Sequence, residues 1–154
     1  FLGIGADDCI TPCLVQQCAP FGLLITNGEF VSFHGDDPKM VVVEESNTGT
    51  VRFSNCAYWG PCEQIPRIRG NGTVGFSDCT FVQWDRNTLG KSALQVESGT
   101  VLIRGCEFRH DAPQISLGPD VRKAVISDNV MAGAVRIDNQ SQGKVHLGAN
   151  LGDE

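Results

Sequence analysis

A chain of 154 residues fits one domain with a sizeable core, and a formal charge of −6 with no basic groove argues against nucleic acid as a partner. No apolar run is long enough to cross a bilayer and no signal-peptide layout is present, so no membrane partner is expected. The seven cysteines fall into two groups that need separate readings.

Residues 1–20 hold Cys9, Cys13 and Cys18 in the segment DDCITPCLVQQC and read as a Cys-rich segment packed on, or leading into, the repetitive remainder of the chain. With Cys62 they make an even set. Disulfides among them, which would suit an exported protein, are the leading reading, ahead of free thiols; a zinc site is the sharper one but would need a tight CxxC pair that the three- and four-residue gaps lack. The chain starts at Phe1 and ends on a bare coil, so the expectation is a piece of a longer chain, or a coil on which another copy stacks.

Residues 21–154 are repetitive. VRFSNCAY, VGFSDCTF, VLIRGCEF, AVISDNVM and VHLGAN begin at Val51, Val74, Val101, Ala124 and Val145, spaced by 23, 27, 23 and 21 residues. A strand-rich repeat of that length, punctuated by Gly and Asn, predicts an all-β parallel solenoid. One apolar column holds Val51, Val74, Val101, Ala124 and Val145; the next holds Phe53, Phe76, Ile103, Ile126 and Leu147; a third holds Tyr58, Phe81, Phe108 and Met131. Side chains two apart on a strand share a face, so the first two columns point into one core. A weaker match at Val31 and Phe33 brings the expected number of coils to about six, with a rod length of roughly 30 Å.

Upstream of each unit runs a shorter alternation: Val41 and Val43, Pro66 and Ile68, Leu94 and Val96, Ile115 and Leu117, Val135 and Ile137. Each coil therefore reads as three short strands. The first corner is compact and tolerant of positive φ (Asn47-Thr48-Gly49, Gly70-Asn71-Gly72, Ser98-Gly99, Ser141-Gln142-Gly143), whereas the connection after the third strand varies and is longest over residues 84–92. No stretch carries a sustained stripe at helical spacing.

Between the second and third columns lies a corner occupied by Cys56, Cys79, Cys106, Asn129 and Asn150. A stacked Asn can bond its amide to corner backbone, and a Cys there acts as a small hydrophobe with a weak donor. The three thiols read as structural and reduced, although stacked coils bring adjacent ones within bridging range.

The coil pattern, this corner column and the Gly-Thr-Val strand starts resemble the right-handed parallel β-helix of the pectate-lyase-like superfamily, nearest its rhamnogalacturonase- and epimerase-type branch, over about residues 21–150. The resemblance implies an exported or extracellular protein that binds or processes a polysaccharide, as a lyase or glycoside hydrolase if it is an enzyme. It also implies a groove outside the first strands and calcium as a frequent helper. Mapped here, the outward rows are Val42, Arg67, Gln95, Ser116 and Arg136, and then Glu44, Arg69, Glu97, Gly118 and Asp138. Glu44, Arg69 and Glu97 are the candidate catalytic residues, with Arg67 and Gln95 on the groove floor and Trp59 and Trp84 as stacking walls. Glu44 and Glu97, two coils apart, would be separated by about 9.6 Å, near the upper end of the inverting range. The same row also reads as an exposed charge ladder. His34-Gly35-Asp36-Asp37 reads as a cation ligand or a polar turn, and Asn71-Gly72-Thr73 and Asn139-Gln140-Ser141 match glycosylation acceptors. A non-catalytic stalk, adhesin or self-assembling module is the alternative function.

Overall fold

In the computed structural model, which describes residues 1–153, the chain winds through about six turns of a parallel β-solenoid with no helix among the described residues. Its first strands are Cys13–Val15, Lys39–Val43, Gln64–Ile68, the leading parts of Leu94–Arg104 and Ile115–Ser127, and Ile137–Asn139. The second strands are Leu23–Thr26, Thr50–Ser54, Thr73–Ser77, the trailing parts of the same two long strands, and Lys144–Leu147. The third form a separate seven-stranded sheet from Gly5–Ala6 to Leu151–Gly152.

The three apolar columns stack in the expected register. Val51 pairs with Val74, Val74 with Val101, Val101 with Ala124 and Ala124 with Val145, while Phe53, Phe76, Ile103, Ile126 and Leu147 follow two residues later. In-register stacking places like rings at the strand spacing. Phe53 and Phe76 stack at 5.2 Å between centroids, and Phe30, Tyr58, Phe81 and Phe108 form a second pile at 5.2, 5.2 and 4.8 Å. Each of these rings is almost fully buried, which stabilises the fold by on the order of 1.5–3 kcal/mol per side chain. The core is a continuous pile of rings and branched aliphatics along the axis.

The corner before the third strand needs one residue in the left-handed region, and Asn27, Asn55, Asp78, Gly105 and Asp128 supply it with φ between 51° and 62°. Asn, Asp and Gly tolerate that conformation best. The next residue points inward and forms the corner column. Cys56, Cys79 and Cys106 each donate a thiol to the carbonyl two residues back (3.4, 3.3 and 3.3 Å) and to one from the preceding coil (3.8, 3.6 and 3.7 Å). Asn129 does the same work with an amide: Oδ1 accepts the Cys106 N–H (2.9 Å) and Nδ2 donates to Ile103 O and Asn150 Oδ1.

Several expectations are corrected. The first coil is not matched at Val31 and Phe33: Leu23 and Ile25 lie beside Val51 and Phe53, and Phe30 beside Tyr58. Its corner is Asn27-Gly28, and the missing side chain on Gly28 hides the repeat; Cys56 Sγ accepts its N–H at 3.4 Å instead. The segment 1–20 leads into the solenoid: Cys13–Val15 pairs with Val41, Val42 and Val43, and Gly5–Ala6 pairs with Glu29 and Phe30. At the other end Ile137, not Val135, continues the column of Ile115, and Asn139 stands opposite Leu117. The first corner is a turn in some coils only; Leu94–Arg104 and Ile115–Ser127 run straight through it with register shifts at Val96/Ser98 and Gly99/Thr100.

No disulfide joins the seven cysteines, all of which are free thiols. Cys18 is tied to a second corner, where Asn47 Oδ1 accepts its N–H at 3.0 Å and its Sγ at 3.2 Å. Cys62 is buried with Sγ donating to Gln83 O of the next coil at 3.6 Å, and burial pushes its pKa up to about 12. Burial likewise raises Cys13 to about 11.

Candidate functional site

The outward face of the first-strand sheet is built from every second residue of a parallel ladder. Its first row is Leu14, Val42, Arg67, Gln95, Ser116 and Asp138, so Asp138 rather than Arg136 continues it. Glu44 and Arg69 follow two residues further on, where their N–H groups extend the ladder to Val15 O and Val43 O, both at 2.9 Å.

The charges of Glu44, Arg67, Arg69 and Glu97 on this face are paired. Arg69 bonds Glu44 and lies 3.5 Å from Glu45, and Arg67 Nε donates to Glu97 Oε1 at 2.7 Å. Gln64 donates to Gln95, whose own amide reaches Glu97 at 3.3 Å. The expected sharing of Arg69 between Glu44 and Glu97 is therefore not seen, because the adjacent Glu45 supplies the second carboxylate. These side chains are roughly one-third exposed, so each pair contributes only about 0–1 kcal/mol. The ladder holds the face flat and polar, with each candidate catalytic carboxylate already facing a guanidinium.

Beside it runs an open trough along the first corner. Arg69, Asn71, Glu97, Ser98, Asp120 and Arg122 line one stretch of about 520 Å³, and Gln95, Ser116, Asp120 and Gln140 line the next, of about 420 Å³. Glu44, Glu45, Ser46, Gln16 and Gln17 border it towards the first coil. The trough owes its shape to the register shifts: Ser98 pairs with Asp120 and Gly99 with Val121, but Thr100 pairs with Lys123, so Arg122 is left out of the ladder. Its Nη2 reaches across to Asn71 O. Among the described residues neither Asp120 nor Arg122 has an ion-pair partner. Sequence reasoning missed both, although Gly118-Pro119 within a strand marks an irregular backbone.

The two tryptophans part company. Trp84 is buried, with Nε1 donating to Pro113 O at 2.8 Å and its ring edge-on to Phe108 and His110, so it has no face to offer a sugar. Trp59 is 49% exposed beside Phe33, but it ends a third strand and does not line the trough. The long connection around Trp84 is locked by charges that the sequence did not reveal. Buried Glu63 faces Lys91 Nζ at 3.3 Å, Arg86 at 3.9 Å and the Asn87 amide, while Arg86 donates to Phe33 O and Gly35 O at 2.9 and 2.7 Å. The Lys39 hydrogen bond, helped by Lys91, holds the Asp37 carboxyl below its usual range. The His34–Asp37 segment is thus a clamp between loops.

Among the described residues no group of three or more His, Cys, Asp or Glu is placed to hold a metal ion. Glu44 and Glu97 each face an arginine, which does not fit a calcium site there. Compared with protein-family models, curated proteins and solved structures, the chain matches none. The class of protein is defined by the fold alone: a parallel β-solenoid with a charged ladder and a trough on one side.

Proposed function

We infer that the chain binds an extended polysaccharide along the trough, outside the cell, without itself cleaving it. The observation that carries this reading is the break in the ladder at residues 96–100, which leaves Asp120 and Arg122 without ion-pair partners among the described residues, in an open polar channel crossing several coils. A trough of this kind suits a chain of hydroxyl-bearing rings, each offered donors and acceptors by Gln95, Ser98, Asn71 and Gln140. Ion pairing of Glu44 and Glu97 supports binding over hydrolysis or elimination, since acid–base work needs carboxylates free to exchange protons. The resemblance of the coil pattern to the pectate-lyase-like superfamily agrees with a polysaccharide ligand. Binding to a panel of soluble polysaccharides is the test: Arg122→Ala should weaken association with the preferred polymer about tenfold, the loss of one charge-assisted bond. Unchanged affinity, or no binding to any polymer, would end the proposal.

A further inference from the structure

The corner column presents an arrangement that carbohydrate binding does not use: three thiols in successive coils. The third strands after them are in register, Ala57 opposite Thr80 and Thr80 opposite Glu107, so Cys56, Cys79 and Cys106 stand one above another. Parallel neighbours are about 4.8 Å apart, inside the window of about 4.4–6.8 Å between Cα atoms that a disulfide spans. Cys79 has a thiol neighbour on either side, and only one bridge can form.

We propose that the column is an oxidation site in which Cys79 and Cys106 become linked by a coil-to-coil disulfide while Cys56 stays reduced. Two geometric differences select that pair. Cys106 follows Gly105, whose lack of a side chain lets the corner shift as the sulfurs close to bonding distance, whereas Cys56 follows Asn55, tied through its amide to Asn27 at 2.8 Å. Cys56 Sγ is also engaged by the Gly28 N–H of the preceding coil, a bond it would have to surrender. The acidities run the same way. The neighbouring Cys79 thiol lowers Cys106, the neighbouring Cys106 helps push Cys79 up to about 12, and the neighbouring Cys79 raises Cys56. Thiolate character therefore collects at the Cys106 end.

With hydrogen peroxide as oxidant, the Cys106 thiolate attacks one peroxide oxygen, the O–O bond breaks, the sulfur keeps that oxygen as a sulfenic acid, and the released hydroxide leaves as water with the thiol's proton. Cys79 sulfur then attacks the Cys106 sulfur, the S–O bond breaks, and the departing hydroxide takes the Cys79 proton as a second water. Two thiols and one peroxide become one disulfide and two waters.

The full chain is exposed to hydrogen peroxide under native conditions, unfolded in an alkylating reagent and mapped by mass spectrometry. The expected result is a linked Cys79–Cys106 peptide pair with Cys56 alkylated. The link should persist in Cys56→Ser and vanish in Cys79→Ser. A Cys56–Cys79 link, a sulfinic acid at Cys106 without a link, or full alkylation of all three thiols would overturn the proposal.

Discussion

Asn129 is the position at which the corner column changes chemistry, and its replacement separates what an amide contributes there from what a thiol contributes. In Asn129→Ala the Cys106 N–H and the Ile103 carbonyl lose their partner in a corner where Asn129 itself is 1% exposed. Asn150 Oδ1 also loses its 2.8 Å donor. An orphaned buried donor costs about 1–3 kcal/mol and a carbonyl with another lone pair engaged costs less, so the total should be about 2–4 kcal/mol. For a chain of this size that is roughly 5–15 °C in Tm. Asn129→Cys should lose only about half as much. The thiols of the earlier coils bond the carbonyls that Ser127 and Ile103 would offer here, and Cys56 Sγ shows that the sulfur can also accept the N–H from the preceding coil. Urea denaturation gives the free energies, and hydrogen exchange at the Cys106 amide places the defect, which matters in a solenoid whose end coils can open separately. A loss below about 0.5 kcal/mol for the Ala variant, or a Cys variant no better than Ala, would refute the idea that the column works by satisfying corner backbone.

Tyr58 lies in the pile of Phe30, Phe81 and Phe108 with its hydroxyl buried and without a hydrogen-bond partner. Tyr58→Phe should therefore raise stability by about 1 kcal/mol, read from the shift in urea midpoint. Phe76→Ala removes a ring in contact with Phe53, Tyr58 and Phe81 and should cost about 3–5 kcal/mol in the same measurement. The lowered pKa of Asp37 gives the loop clamp a pH dependence: its contribution is present above the ordinary carboxylate value of about 3.9 and is lost as pH falls through the lowered one. Asp37 is 55% exposed, so solvent screening keeps the effect under about 1 kcal/mol; Asp37→Asn should flatten that acid limb in a pH series of denaturation curves.

The fold was legible because a solenoid repeats its environment, so the same inward position meets the same selection of side chains five times over. Columns led by Val51, Phe53 and Tyr58 could be read by alignment within the chain itself. The misreadings occur where a side chain is missing or a connection shrinks. Gly28 at the first corner left nothing to align, and the short connection through Gly133 shifted the last first strand by two residues, moving Asp138 into the row assigned to Arg136. Trp84 and Trp59 stand at comparable places in sequence, yet only the first is covered, because the connection over residues 84–92 folds back and the next coil offers Pro113 O to its indole. Burial of that kind depends on a loop's path, which no repeat encodes.

The candidate site was harder to read for a reason intrinsic to the architecture. Outward residues on successive coils sit about 4.8 Å apart, so any Glu above any Arg will find it, and the chain's own neighbours neutralise a row that reads as chemistry in one dimension. Which Glu an Arg takes depends on rotamers and on rivals such as Glu45, not on the row alone. Beside the candidate row, the interruption of the ladder is where Asp120 and Arg122 stand without an ion-pair partner among the described residues. Here the interruption is the pair of register shifts beside Ser98 and Gly99, which sets Arg122 outside the ladder while Asp120 remains opposite Ser98. The functional search in such a rod therefore belongs at its irregular corners, where stacking has left donors and charges unspent, and Arg122 is the residue by which that principle stands or falls in this chain.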